Sequence, residues 1–316
     1  MTDAESGRDW RPTHEVELAA GTPPGGGLDR VARALQRAII EAKLLPVPLA
    51  VVNVSGDGAR RVWTQLIDRH AGDAHVLSIS SPNLTTDYLV GVADFEHTKY
   101  TPIATVVTEY IAFAVRADSD LRTGADLMTR LGASLGASPG DVAVALSTAL
   151  GNPNHVALAK LTRIAGGDVN APRIRVFDTA LDAVADVIAG HAHVCAVTAA
   201  SVLKELAAGR VRVIAVSAPA RLAGALSGAP TWSEQGVDCV IGAWRGVSGP
   251  AGLGAAQIRF WEGVIAAATA QPVWHEELAR LAWSPMLLTG AALSAYLAQE
   301  RADFVATLGG LGLLKR

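Results

Sequence analysis

Short β-rich runs and helical runs follow one another along this chain, an order that layered α/β architectures accommodate around a mostly parallel sheet. "HEVELAA" reads as a strand and is followed by a Gly/Pro turn. The next run, "LDRVARALQRAIIEA", places Val31, Leu35 and Ile39 four apart on one helical face. "PLAVVNV" and "HVLSIS" repeat the strand signal around the helical "ARRVWTQLIDRH". A second set begins at "TPIATVVTEYIAFAV" and continues through "VAVALSTAL", "RIRVF", "ALDAVADVIAG", "VCAVT", "SVLKELAAG" and "VRVIAVSA". From about Trp232 there follow a short apolar "CVIGAWRGV" and segments read as mainly helical. Two βα lobes and a returning C-terminal portion are expected.

Composition narrows the function classes. With 316 residues, half of them apolar, the chain can bury a substantial core. Net charge is −3 and the 27 basic residues are scattered, so no nucleic-acid footprint is present. No run approaches the ~20 apolar residues of a spanning helix, and direct membrane insertion is not expected. The start, "MTDAESGRDWRPTHE", lacks the basic, apolar and small-residue regions of a secretory signal. A chain whose signal had been removed would look the same. The expected location is therefore periplasmic or extracytoplasmic in that case, and cytoplasmic if the printed start is native. Cys195 and Cys239 match no metal or redox spacing and read as buried free thiols.

Three turns rich in glycine or small residues carry the functional signal: "TPPGGGLD", "NVSGDGARR" and "GASPGD". Three consecutive glycines before a helix let backbone N–H groups approach a ligand closely, which suits an anion. None has the spacing of a phosphate-binding P-loop or of a dinucleotide site, and no cofactor is expected. Open α/β sheets bind ligands beyond the carboxyl ends of their strands, where such turns lie.

"PPGGGLDRVARAL", "VVNVSGDGA", "GDAHVLSISSPNL", "LAAGRVRVIAVSAPARL", "APTWSEQGV" and "WRGVSGPAGL" occur in that order. Together they resemble the substrate-binding receptors of tripartite tricarboxylate transporters, the Bug receptors, over nearly the whole chain. The resemblance implies an α/β, two-domain, periplasmic-binding-protein-like clamshell of type II, each lobe a mostly parallel sheet flanked by helices. It implies residues 1–107 with 218–316 as one domain and 108–217 as the other. It further implies a small carboxylate ligand (a di- or tricarboxylate, an aromatic acid or an amino acid), membrane transporter subunits as partners, and no catalysis. Carried onto this sequence, the ligand-facing positions are Pro24, Gly25, Gly26, Gly27, Leu28 and Asp29 in the first loop, and Ser80, Ser81 and Asn83 after the third strand. In the second domain they are Gly136, Ala137, Ser138, Gly140 and Asp141, with Thr179 and Thr198. Main-chain donors and helix N-termini, rather than arginine clamps, are implied to hold the carboxylates. Trp244 falls where the family places an aromatic residue close to the hinge, and both packing and ligand contact are open to it.

Several residues depart from that pattern. Leu28 stands where a hydroxyl is usual, Arg60 where Asn is frequent, Ser138 and Val142 where Gly and His are typical, and "FDT" at Phe177–Thr179 replaces "YKG". A signal-less intracellular enzyme or ligand sensor reusing the scaffold is the alternative reading. Gly136-x-Ser138-x-Gly140 also has the spacing of a nucleophile elbow, but Pro139 follows the serine and has no N–H to complete an oxyanion hole. Neither His155 nor His275 sits in a triad context. Gly140 and Asp141 are instead expected to open a helix, with Asp141 as its cap or as an acceptor for an amine; Asp29 is expected to cap the first helix. "GHAHVCAV" would set His191, His193 and Cys195 on one strand face, but no fourth ligand is visible and no metal is expected. Arg60 and Arg61 are read as solvated.

Overall fold

The computed structural model describes residues 10–133 and 142–316. Two sets of three parallel strands form the ends of one long, curled sheet. The first set is β1 (Val16–Ala20), β2 (Leu49–Asn53) and β3 (Val76–Ser80), joined by α1 (Gly27–Glu41) and α2 (Arg60–Arg69). The second is β5 (Ala143–Ser147), β6 (Arg173–Phe177) and β7 (Val194–Thr198), joined by α5 (Pro153–Ile164) and α6 (Ala180–Ile188). Between them run β4 (Tyr100–Arg116) and β9 (Gly242–Pro250), giving the strand order β2-β1-β3-β9-β4-β7-β5-β6. β8 (Val211–Val216) and β10 (Ser284–Thr289) pair antiparallel with opposite ends of β4. The remaining helices are α3 (Asn83–Leu89), α4 (Gly124–Ala133), α7 (Leu203–Ala207), α8 (Ala255–Thr269), α9 (Pro272–Leu281) and α10 (Gly290–Gly310). This is the two-lobed α/β clamshell that the sequence led us to expect.

Each lobe has its own apolar interior. In the first, α1 presents Val31, Leu35 and Ile39 to β1 and β3, and Trp63, Ile79 and Trp261 fill the layer between helices and sheet. In the second, one face of the sheet packs Cys195 and Val197 against Val184 and Val187 of α6, and the other packs Phe113 against Trp232 at 5.1 Å. Strands covered on both faces read as continuous apolar runs, as β5 and β7 do.

One sequence expectation changes. "VAVALSTAL" was read as following a turn that opens a helix, yet Ala143–Ser147 is strand β5, buried at every position. A short run with no polar face gives no period by which to tell strand from helix. Asp141, read as the cap of such a helix, lies outside the described residues. The flanking elements are helix α4 before and strand β5 after, the reverse of the strand–turn–helix that a nucleophile elbow requires. The C-terminal part is mainly helical as read, in α8, α9 and α10, and also contributes β10 to the sheet. Residues 136–141 themselves lie outside the described residues.

Crossing between the lobes is stapled at Ser217. Its N–H donates to Ile111 O at 2.8 Å, its Oγ accepts from Ile111 N–H at 2.9 Å, and Ile241 N–H donates to its carbonyl at 3.0 Å. Trp244 packs on Leu293 and Leu297 of α10, and its indole N–H donates to both oxygens of Glu300 at 2.7 Å. That is packing, one of the two roles open to it.

Candidate functional site

The strands β1, β3, β5, β6 and β7 all end around one cavity of about 340 Å³ between the lobes. From the first lobe it is lined by the turn Gly21–Pro23 with Gly26, Gly27, Leu28 and Arg30, by the turn Ser55–Ala59, and by Ser81 and Asn83. From the second come Ser147, Thr148 and Asn152–Asn154, Asp178–Asp182, Thr198 and Ser201. Arg245 and Ala243 of β9 complete it.

The glycine turn is held from behind. Gly25 sits at φ +82°, the left-handed region that favours glycine, and its N–H donates to Asp29 Oδ2 at 2.7 Å. Gly26 N–H donates to Pro23 O at 2.9 Å, and Asp29 N–H to Thr22 Oγ1 at 3.1 Å. Asp29 also receives Arg33 Nε at 2.9 Å and Asn53 Nδ2 at 2.8 Å. Burial would raise its pKa, but the hydrogen bonds from Asn53, Gly25 and Arg33 outweigh that and hold it below the usual value. Asp29 is thus a brace rather than a cavity-lining residue. Among the described residues, the amides of Gly27 and Leu28 at the start of α1 have no acceptor. They open toward the cavity.

Beside them stand two guanidinium groups. A Cβ placed on Gly27 would lie 3.8 Å from Arg245 Nη2, and 3.9 Å from both Arg30 Nη2 and Glu109 Oε2. Arg245 is satisfied, since its Nε and Nη2 lie 2.9 and 2.7 Å from Glu109 Oε2. Glu109 Oε1 accepts in turn from Trp283 Nε1 at 2.7 Å. Arg30 is different: it donates to Gly25 O at 2.9 Å and to Ser201 Oγ at 3.2 Å, but among the described residues it has no ion pair. Its Nε is buried without a hydrogen-bond partner. Burial pulls its pKa below the ordinary value, opposed by the Glu109 carboxylate. Two cations and one carboxylate leave one positive charge in excess at this end of the cavity.

The second lobe finishes its helices with its own side chains. Asn152 Oδ1 accepts from His155 N–H at 3.1 Å ahead of Pro153, and its Nδ2 donates to Ser147 O and to Thr148 Oγ1, each at 2.6 Å. Thr179 Oγ1 accepts from Asp182 N–H at 3.1 Å, while the Thr179 hydroxyl donates to Asp182 Oδ2 at 2.6 Å. Gly151 N–H donates to His155 Nδ1 at 2.8 Å, and burial of that ring lowers its pKa to about 4. Thr148 holds φ +71°, a costly conformation for a β-branched residue. Strain of this kind collects at ligand-binding turns.

The lobes touch across the cavity mouth. Asn83 Nδ2 donates to Thr148 Oγ1 at 3.2 Å, and Arg30 reaches Ser201. Leu89 and Val90 at the end of α3 share an apolar cluster with Val156 of α5 and with Phe304 and Leu308 of α10.

Of the positions singled out from the sequence, Gly26, Gly27, Leu28, Ser81, Asn83, Thr179 and Thr198 line this cavity. Pro24, Gly25, Asp29 and Ser80 do not; Ser80 instead accepts a hydrogen bond from Ser248 Oγ at 3.0 Å in the sheet interior. Gly136, Ala137, Ser138, Gly140 and Asp141 lie outside the described residues. A site without arginines was implied, and the cavity holds two. Arg60, read as solvated, donates to the buried Asp87 at 3.1 Å. Asp87 is pushed up to about 6 by burial, which Arg60 only partly offsets. Asn152 escaped the sequence reading, although Asn-Pro before an apolar run is a helix-start signal. The histidines of "GHAHVCAV" precede β7, with His193 Nδ1 accepting from Ala143 N–H at 2.9 Å. Among the described residues no His, Cys, Asp and Glu side chains gather as metal ligands. No described helix is long and apolar enough to cross a membrane.

Comparison with known proteins agrees with this architecture. One relative is the "UPF0065 protein in tcbD-tcbE intergenic region" of Pseudomonas sp. (strain P51), 26% identical over 66% of this chain. The chain spans 60% of that relative's length. Among solved structures, "R. palustris Rpa4515 with adipate" superposes with a TM-score of 0.84 at 20% identity, covering 96% of this chain and 99% of that one. "Structure of periplasmic binding protein BugD" superposes with a TM-score of 0.82 at 19% identity, covering 96% and 100%. The family described as "Tripartite tricarboxylate transporter family receptor" matches residues 31–306, and with the clamshell already in place this protein belongs to that family.

Proposed function

We propose that the protein captures a small carboxylate in the cavity between its lobes and hands it to the membrane subunits of a tripartite tricarboxylate-type transporter, working on the periplasmic side. The observation that carries this reading is Arg30, half-buried with its Nε unpartnered and without an ion pair among the described residues, beside the open amides of Gly27 and Leu28. A half-buried cation without an ion-pair partner is costly, and an anionic ligand relieves that cost. The adipate in the superposing structure from R. palustris is an anion of the expected kind. In this reading the lobes are residues 1–107 with 218–316, and 108–217. Ligand-free molecules sample open forms, and the ligand selects the closed one by bridging Arg30 and the facing turns.

A thermal-shift screen of dicarboxylates, tricarboxylates, aromatic acids and amino acids tests this. A ligand at one hundred times its Kd adds about 2.7 kcal/mol of stability and raises Tm. Gly27→Val is the companion variant. Its side chain enters the space between Arg245 and Arg30 without a backbone clash, so Tm without ligand should hold while the ligand-induced rise disappears. Gly26→Val is unsuitable, because a Cβ there would lie 2.5 Å from Thr22 Cβ and disturb the turn itself. If no carboxylate shifts Tm, the reading is overturned.

A further inference from the structure

The cavity is charged oppositely at its two ends. Arg30 supplies the excess positive charge on the first lobe. On the facing wall, Asp178 and Asp182 line the same cavity, and among the described residues neither has an ion-pair partner. Asp182 accepts the Thr179 hydroxyl and sits in the first turn of α6, so the positive end of that helix already has an anion beside it. At α5, Asn152 Oδ1 takes one amide and Pro153 at the first helical position has none to offer. The amides of Asn154, Ala180 and Leu181 are open here too among the described residues, but a carboxylate drawn to them would stand beside two fixed negative charges. A hydrogen-bond donor would meet acceptors.

We propose that the solute of this cavity is a monocarboxylate whose far end carries a hydrogen-bond donor, an amide, hydroxyl or ammonium group, instead of a second carboxylate. This rests on the carboxylate-capture reading above and specifies which carboxylates satisfy it. The charged end is held by Arg30 with the amides of Gly27 and Leu28. The donor end faces Asp178 and Asp182. Both acids are exposed at the cavity mouth, so water screens them and the discrimination they give is moderate, about tenfold.

Matched probes of equal length decide the matter by titration calorimetry: succinate against succinamate and 4-aminobutyrate, and adipate against adipamate, 6-hydroxyhexanoate and 6-aminohexanoate. In each set the best donor-ended member should bind about tenfold tighter than the dicarboxylate. Comparing the amide and hydroxyl with the ammonium shows whether a neutral donor suffices or a cation is required. Asp178→Asn with Asp182→Asn removes both charges while keeping an amide oxygen after Leu181 that can still accept from the Thr179 hydroxyl; circular dichroism checks its fold. In this double variant the preference should shrink to about threefold or less, through tighter dicarboxylate binding. A dicarboxylate that binds the native protein as tightly as its donor-ended partner overturns the inference and leaves carboxylate capture standing, as does a preference unchanged by the double variant. Failure of every probe to bind overturns both.

Discussion

The β1–β3 and β5–β7 lobes are built to one plan, three parallel strands with helices starting at their carboxyl ends, yet they set different charges beside those helix ends. In the first lobe Thr22 Oγ1 accepts from the third amide of α1, and the Arg30 guanidinium stands beside the two open ones. In the second, Asn152 and Thr179 each fold an oxygen back onto an amide of α5 and α6. Capping is thus alike in the two lobes, and what differs is the side chain beside the open amides: Arg30 at α1, Asp178 and Asp182 at α6. In the proposed reading one topology supplies an anion-seeking wall and a donor-seeking wall, and the choice lies in a few residues at the turns.

The strongest challenge to this contrast is Arg30→Met. If the first lobe recognises charge through Arg30, carboxylate affinity should fall by about 30- to 100-fold in calorimetry. Stability without ligand should hold or rise, because an unpaired half-buried cation has gone. Equal affinity in the variant would mean that the bare amides act alone and the lobes differ less than the charges imply.

A second test uses pH, where the lobes carry opposite signs. Asp87, in the first lobe, is raised by burial to about 6 from 3.8. The folded state keeps its proton longer than the unfolded state, so this group's contribution is greatest at low pH and is lost as pH rises from about 4 to 6. His155, in the second lobe, is lowered by burial to about 4 from 6.5. Its contribution is full above 6.5 and is lost as pH falls toward 4. Each amounts to on the order of 3 kcal/mol. Urea unfolding across pH 4 to 7 should show Asp87→Asn removing the loss on the rising side and His155→Gln removing the loss on the falling side. Identical profiles for the two variants would erase the distinction.

Smaller effects are expected from the caps. Asn152→Ala gives up three hydrogen bonds and should cost about 2 kcal/mol in urea unfolding, and Thr179→Ala about 1 kcal/mol. Neither should weaken the grip on the carboxylate end of a ligand by more than a few-fold.

Legibility from sequence followed the same divide. Three glycines before a four-spaced apolar helix announced the first lobe's cradle because its signal is local: a turn without side chains, then Val31, Leu35 and Ile39 on one face. The second lobe's wall comes from separate turns, Ser147–Asn154, Asp178–Asp182 and Thr198–Ser201, that meet only after β5, β6 and β7 pair. The floor is more distant still, since Glu109 and Arg245 are joined across antiparallel β4 and β9 and nothing near either residue in the chain reports the other. Arg30 adjoins a residue singled out from the sequence, Asp29, but whether an arginine at a helix start turns inward depends on what surrounds it. β5 was misjudged because burial on both faces erases the alternation that marks a strand.

Strand β4 has a practical consequence. Its seventeen residues serve β9 and β10 along one stretch and β7 and β8 along another, with shifts in register beside Pro102, Thr105 and Phe113. No cut between the lobes leaves each half with a complete sheet, because either piece would lose part of the beam they share. Hybrid receptors made by trading lobes between relatives must therefore be spliced at the turns around the cavity, where residues can change without dismantling the frame that carries them.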